Sequence, residues 1–521
     1  MMTNPTKMER RRALQDSLND RINFIKSVEE IFNCHMVNFI TGNLWDKHIP
    51  EPIKEEVAQL GEEKVLELIY HFGSCNSKLE VKMELTAPCP TLSKYLIACR
   101  QYYYDMTDPS INDEESIRSE ILNDSSTSVS DADDNIKKRN LSSQYLTPAK
   151  KRHEVDVMSS FIAKMYEKKL ANQGIIGAIV DIGGGKGYLG SALALRYGLR
   201  VLGIDVASDV TDAAKSRNDK ICRKLSEKCS FYQQKTVFVT PNTDLGNLVK
   251  EFQFLWGSVT RVALVGLHTC GNLGASNIEL FAATKTTDVP VTILCNVGCC
   301  YNLLDEKYLP EGVIDKAHYC LPPLLHGHSV DLPLDETSGF PMSDFLCQRQ
   351  FWLGRNARNL ASQSVERVMS QKKVAVDALF HRAVLQTVLL DYAENCSDTV
   401  QKKLLSKLDE MMVVGKGVGR VYKRNASLNL HEYLKTAFEK LDLDIQLPVE
   451  EVDKLSERYD CFKSKIKIFY LIRIFLAPVI ESIILLDRLL YLLEKGINEA
   501  YLVRLFDPLI SPRCFALVAL K

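Results

Sequence analysis

The stretch Val180–Gly190 reads VDIGGGKGYLG, and it decides the fold. Immediately before and into it runs an apolar, β-rich segment, Ile175–Ile182 (IIGAIVDI). Behind the glycines a helical pattern extends from about Tyr188 to Tyr197. Strand, glycine turn and helix in succession open a parallel sheet covered on both faces. Leu199–Val206, Val262–Leu267 and Val291–Val297 read as further buried strands. A third strand in chain order is expected at VFVTPNTD, Val237–Asp244. The C-terminal EAYLVRLFDPLISPRCFALVALK holds two short strand runs parted by Asp507, Pro508, Ser511 and Pro512. They predict two closing strands at the end of a mostly parallel sheet. The fold class is therefore α/β, Rossmann-like.

Glycines let the backbone bend sharply and approach a ligand closely, and a helix N-terminus offers free amide donors. Dinucleotide enzymes hold a pyrophosphate this way, with the spacing GxGxxG. Here the spacing is DxGxGxG, with Asp181 ahead of Gly183, Gly185 and Gly187. An acid at that place repels phosphate and suits the cationic amino-acid end of S-adenosylmethionine. The next strand ends in VLGID, which places Asp205 where an acid accepts hydrogen bonds from ribose hydroxyls. The alternative is a plain tight turn beside a solvent-facing Asp.

Ligand sites of open parallel sheets lie beyond the carboxyl ends of the strands. LVGLHTCGNLG (Leu264–Gly274) therefore brings His268, Thr269, Cys270 and Asn272 to that edge, and CNVGCCYN adds Cys295, Cys299, Cys300 and Tyr301. Three readings compete for the thiols: zinc ligands, a cysteine nucleophile, or small polarizable groups lining a tight pocket. No CxxC pair is present, and adjacent Cys299 and Cys300 are not expected to point at one ion, so no metal is expected. His268 and Cys270 are the catalytic candidates, His268 as a proton-handling or substrate-shaping group. Lys151 and His153, just ahead of the first strand, are candidates for contact with the cofactor or an anionic substrate, or simply solvated helix-start residues.

The chain has 521 residues, which implies two or three packed units. Residues 1–104 read as a helical N-terminal region, with Ile22, Ile25, Val28, Ile31 and Phe32 at helical spacing. Residues 105–145, including DPSINDEESIRSE and NDSSTSVSDADDN, read as an acidic, Ser-rich disordered linker. Residues 146–302 form the first part of the core, 303–464 a mainly helical insertion, and 465–521 the core's C-terminal helix and closing strands. A formal net charge of −1 gives no bulk sign of a nucleic-acid binder, and stable DNA binding is not expected. Fifteen cysteines without a short-range framework, and no apolar signal core in Met1–Asp20, place the chain in a reducing compartment, cytoplasmic or nuclear. The triplets Lys137–Arg139 and Lys150–Arg152 have bipartite nuclear-import spacing, although the second leads into a helix. Phe469–Leu493 is apolar but carries Arg473, Glu481, Asp487 and Arg488. Each would cost about 2.5–3.5 kcal/mol at mid-bilayer, so a packed helix is expected and a membrane span is not.

TPAKKRHEV, VDIGGGKGYLG, LVGLHTCGNLG, VGCCYN, FPMS (Phe340–Ser343), LGRNARNLA (Leu353–Ala361), APVIESIILLDRLLYLLE (Ala477–Glu494) and LFDPLISPRCFALVA together resemble the methyltransferase-like protein 25 family. The region around Trp45 and Pro50 is similar too, so the resemblance spans nearly the whole chain. It implies a class I methyltransferase core, a mostly parallel seven-stranded sheet closed by a C-terminal antiparallel hairpin, using S-adenosylmethionine, with no acceptor implied. The HTCG and GCCY blocks also look like those of a tRNA 2′-O-methylating family, which favours RNA, although that family's zinc-finger additions are missing. HTCG replaces the Asn/Asp-Pro-Pro-aromatic block of many amino-group methylases, which argues against that chemistry. Rival expectations are a protein or small-molecule methyltransferase, and a non-catalytic interaction protein that keeps the fold.

Overall fold

The computed structural model describes residues 7–74, 89–122, 149–225, 230–283, 288–308, 339–372, 374–394 and 428–521. Its strands are β1 (Gly177–Ile182), β2 (Val201–Asp205), β3 (Tyr232–Thr236), β4 (Arg261–Thr269), β5 (Val291–Gly298), β6 (Ala500–Arg504) and β7 (Phe515–Leu520). They form one sheet in the order β3-β2-β1-β4-β5-β7-β6. β1 to β5 pair in parallel, and β7 runs antiparallel to both β5 and β6. This is the expected Rossmann-like sheet with its closing hairpin. The strand order reverses direction between β1 and β4, which opens a crevice at the carboxyl ends of those two strands.

The helices that frame the sheet are α1 (Lys7–Ser27), α2 (Pro90–Tyr104), α3 (Glu114–Leu122), α4 (Ala149–Lys169), α5 (Tyr188–Tyr197), α6 (Ser208–Leu225), α7 (Leu273–Ala282), α8 (Arg355–Ala361), α9 (Phe462–Ile474) and α10 (Ala477–Glu494). α10 is buried along almost its whole length because it packs against α1, α2, α7 and α8 as well as β6 and β7. A helix apolar all round demands such surroundings. One continuous apolar core joins the N-terminal helices, the sheet and the helices of the insertion. Two acids on α10 find partners inside the protein. Glu481 Oε1 lies 2.8 Å from Arg513 and accepts from the Tyr301 hydroxyl at 3.1 Å. Asp487 accepts from the amides of Met342 and Ser343 and from the Ser343 hydroxyl, which latches the FPMS segment onto α10. Phe462–Glu494 is long and apolar enough to cross a bilayer, but 89% of its most apolar 18-residue window is buried inside the protein.

Two expectations are corrected. The third strand is Tyr232–Thr236, not Val237–Asp244. β3 is an edge strand whose middle residues are only half-buried, so it carries no apolar run to read. The supposed linker is folded up to Leu122: α3 lies against edge strand β6. Ile111, Ile117 and Ile121 are buried, and buried Asn112 exchanges hydrogen bonds with the backbone of Leu502 in both directions at 2.8 Å. Side chains supply what a missing strand would, and so blunt the sheet edge. The rest of that stretch, including Lys137–Arg139, lies outside the described residues.

Candidate active site

β1 delivers Asp181 to the carboxyl edge, and the chain then bends through residues 183–187 into α5. Gly183, Gly185 and Gly187 take φ of +68°, +54° and +68°, a left-handed region that side chains disfavour. The amides of Gly183 and Gly184 donate to the Ile204 carbonyl at 2.9 and 3.1 Å, pinning the bend to the end of β2. There Asp205 accepts from Gly185 N at 3.1 Å and from Ala207 N at 3.2 Å. Both acids thus face the same bend, and Asp205, half-buried, keeps lone pairs for further donors. Asp181 is 1% exposed, and its Oδ2 has no hydrogen-bond partner. Burial pushes its carboxyl up to about 7; the Gly190 amide and the charge of Lys151 oppose the rise and Asp205 adds to it. Gly187 has a different reason to be bare. A Cβ there would collide with the Tyr232 hydroxyl and press on Ala214, so this glycine lets α5 pack against β3 and α6.

His268, near the end of β4, adopts φ +65°, unusual for a side-chain-bearing residue. Its Nε2 lies 3.0 Å from Glu154 Oε1. Glu154 comes from α4, is 1% exposed, and also accepts from the Ser511 hydroxyl at 2.7 Å, with Lys150 at 3.5 Å. Burial alone would raise the Glu154 carboxyl; the hydrogen bond and charge of His268 outweigh it, with Ser511 and Lys150, and hold it at about 2. Three distant stretches therefore meet at one carboxylate, that of Glu154: the start of α4, the end of β4 and the β6–β7 connection. Glu154 and Ser511 were not singled out from the sequence, although Glu154 lies in TPAKKRHEV. Its one local signal was a Lys150–Glu154 pair at i,i+4, which any solvated helix shows.

Cys270 is exposed, Cys299 and Cys300 are half-buried, and their sulfurs lie 3.2, 3.2 and 3.3 Å apart. The expectation that Cys299 and Cys300 diverge is thereby corrected. The chain leaves β5 at Gly298, and Cys300 takes φ −92°, ψ 72°, so the strand's alternation of sides no longer applies. The donors Cys270 Sγ and Cys299 Sγ draw the Cys300 thiol below its ordinary value. Cys295 stays buried within β5, and Tyr301 is buried against Glu481. Thr269 is buried and donates to the Val297 carbonyl, while Asn272 pairs with Asp305 at 2.7 Å.

Of the two candidates on α4, His153 Nε2 accepts from the Asp507 amide at 3.2 Å. Lys151 Nζ lies 5.9 Å from the Tyr188 ring, behind the glycine bend, and Arg217 stacks on the same ring at 4.2 Å. A cavity of about 680 Å³, lined by Asp244, Phe281, Val291 and Lys521 among others, lies by the start of β5, away from this constellation.

Residues 150–307 match a family model described as a methyltransferase domain. Those residues hold β1 to β5, the glycine bend and every group of the site except Ser511. A protein of Mus musculus named "Probable methyltransferase-like protein 25" is 26% identical over 98% of this chain and 97% of its own length. A Homo sapiens protein of the same name is 32% identical over 60% of this chain and 44% of its own. The resemblance read from the motifs is thus found along almost the entire chain. The protein carries a methyltransferase domain of Rossmann-like class I fold and is a homologue of the methyltransferase-like protein 25 proteins.

Proposed function

We propose that the chain methylates RNA with S-adenosylmethionine as donor. The observation that carries the donor assignment is Asp181: a buried carboxylate oxygen without a partner, at a left-handed glycine bend. An unsatisfied buried acceptor is costly, and an ammonium group is the partner that would relieve it. Asp181 would receive the amino-acid end of the donor and Asp205 its ribose hydroxyls, while Gly183 and Gly185 keep the backbone low enough for close approach. When bound, S-adenosylmethionine supplies a methyl group on a positively charged sulfur, open to direct displacement by an oxygen or nitrogen.

The chain's own groups then have two tasks. His268 is fixed through Nε2 by Glu154, so its Nδ1 is the ring nitrogen left to accept a proton from the attacking group. Three cations stand by the glycine bend: Lys151 and Arg217 over the ring of Tyr188, which follows it, and exposed Lys186 within it. A basic rim recruits and orients a polyanion, which is why RNA is preferred over a protein or small-molecule acceptor.

The test is incubation of purified protein with methyl-labelled S-adenosylmethionine and fractionated cell extract, with and without ribonuclease. Label that enters nuclease-sensitive material is expected. Label confined to protein or small molecules would overturn the RNA assignment, and donor binding without transfer to any fraction would favour a non-catalytic role.

A further inference from the structure

We propose that Cys270, Cys299 and Cys300 form a binding site for one thiophilic divalent cation, zinc by the chemistry of its donors. The site arises from the register of two adjacent parallel strands. Thr269 of β4 pairs with Gly298 of β5, so the next residues, Cys270 and Cys299, leave the sheet side by side. The turn after Gly298 swings Cys300 to the same side, and the Gly271 amide donates to the Cys300 carbonyl at 3.3 Å, holding the two loops together. The three sulfurs make a nearly equilateral triangle with edges of 3.2, 3.2 and 3.3 Å.

A thiol is a weak donor and a weak acceptor, so three of them gain little by mutual contact. Three thiolates around a soft cation gain a great deal. With zinc–sulfur bonds of about 2.3 Å, an ion touching all three stands roughly 1.3 Å off the plane of the triangle. Three protein ligands and one open position are the pattern of sites that take water or a substrate atom as the fourth ligand. Two features of the surroundings agree. The guanidinium of Arg488, 3% exposed, lies against Gly298 beside Cys299, a fixed positive charge that would offset the net negative charge of a cation held by three thiolates. His268, whose carbonyl accepts from Cys270 Sγ at 3.4 Å, carries a carboxylate-bound imidazole into the same neighbourhood. Among the described residues no other group of three such side chains converges to this degree. Binding forms three sulfur–metal bonds and releases the thiol protons to solvent; no oxidant or reductant takes part.

The full-length protein, purified under reducing conditions and stripped with a chelator, is titrated with cobalt(II). One equivalent should produce the charge-transfer band of a thiolate-bound cobalt, and one equivalent of zinc should bleach it. Zinc retained after gel filtration should be one per chain, and zinc should shield Cys270, Cys299 and Cys300, but not exposed Cys461, from alkylation mapped by mass spectrometry. C270S/C299S/C300S should lose the band, and C461S should keep it. Absence of the band in the unsubstituted protein, its persistence in the triple variant, or a disulfide between two of the three sulfurs would overturn the proposal. The wild-type titration decides the matter even if the triple variant does not fold. Calorimetry of S-adenosylmethionine on the same samples reads the methyl-donor assignment separately.

Discussion

Asp181 is a carboxylate shut away from water and short of one partner, and its titration is the most direct readout of the donor site. Its folded value of about 7 stands above the ordinary 3.8, so the folded state binds the extra proton between those limits. Stability from this group is greatest at low pH and falls as pH climbs through that window. A cationic ligand needs the ionised form. S-adenosylmethionine should therefore bind more tightly as pH rises toward 7, with release of a proton near neutrality. Calorimetry in buffers of different ionisation heat measures that proton, and Asp181→Asn should abolish it. Asp205→Ala should weaken donor binding by about 1.5–3 kcal/mol, tenfold or more, because charged hydrogen bonds are lost; unchanged affinity would remove Asp205 from the site. His268→Ala should lower turnover by about a hundredfold with donor affinity nearly intact. Glu154→Gln should follow it in part, since the amide keeps the shape but not the charge. Equal losses in donor affinity would make the pair structural.

At the scale of elements, the edge strand and its cover decide what the acidic segment is for. The composition of DPSINDEESIRSE argues for solvation, and its two isoleucines, with Ile121 just after it, were too few to outweigh that. Tertiary structure reverses the reading, because all three isoleucines are buried, α3 packs on β6 and α4, and Asn112 replaces a neighbouring strand. Asn112→Ala leaves the Leu502 amide and carbonyl without partners in a dry place. A loss of about 1–3 kcal/mol is expected in the denaturant midpoint, against almost none for a substitution at exposed Glu115. β3 escaped reading for the related reason that an edge strand need not be apolar.

For the whole molecule, α9 and α10 hold the helical parts to the sheet. Their ionisable groups look like errors in a core until their partners appear: Glu481 with Arg513 and Tyr301, Asp487 with the FPMS backbone, and Arg473 with the Phe32 carbonyl. Removing one member of such a buried pair costs more than the pair contributes. Glu481→Ala, which leaves Arg513 without its counter-charge, should lower stability by about 3–5 kcal/mol in a denaturant titration. A change below 1 kcal/mol would show that Arg513 is held well enough by the Ala361 and Gln363 carbonyls it also reaches.

The strands β1, β2, β4 and β5, the two closing strands, the glycine bend and both acids beside it were legible from local pattern alone. Each is a short-range signal: apolar runs that must be buried on both faces, and glycines where the backbone must turn left-handed. The carboxylate that holds His268, the serine that holds that carboxylate, and the convergence of three sulfurs were decided only by the tertiary structure. Glu154 and Ser511 stand more than 350 residues apart, and Cys270 meets Cys299 only through the register of two strands. Such meetings depend on how layers pack, which no local periodicity encodes.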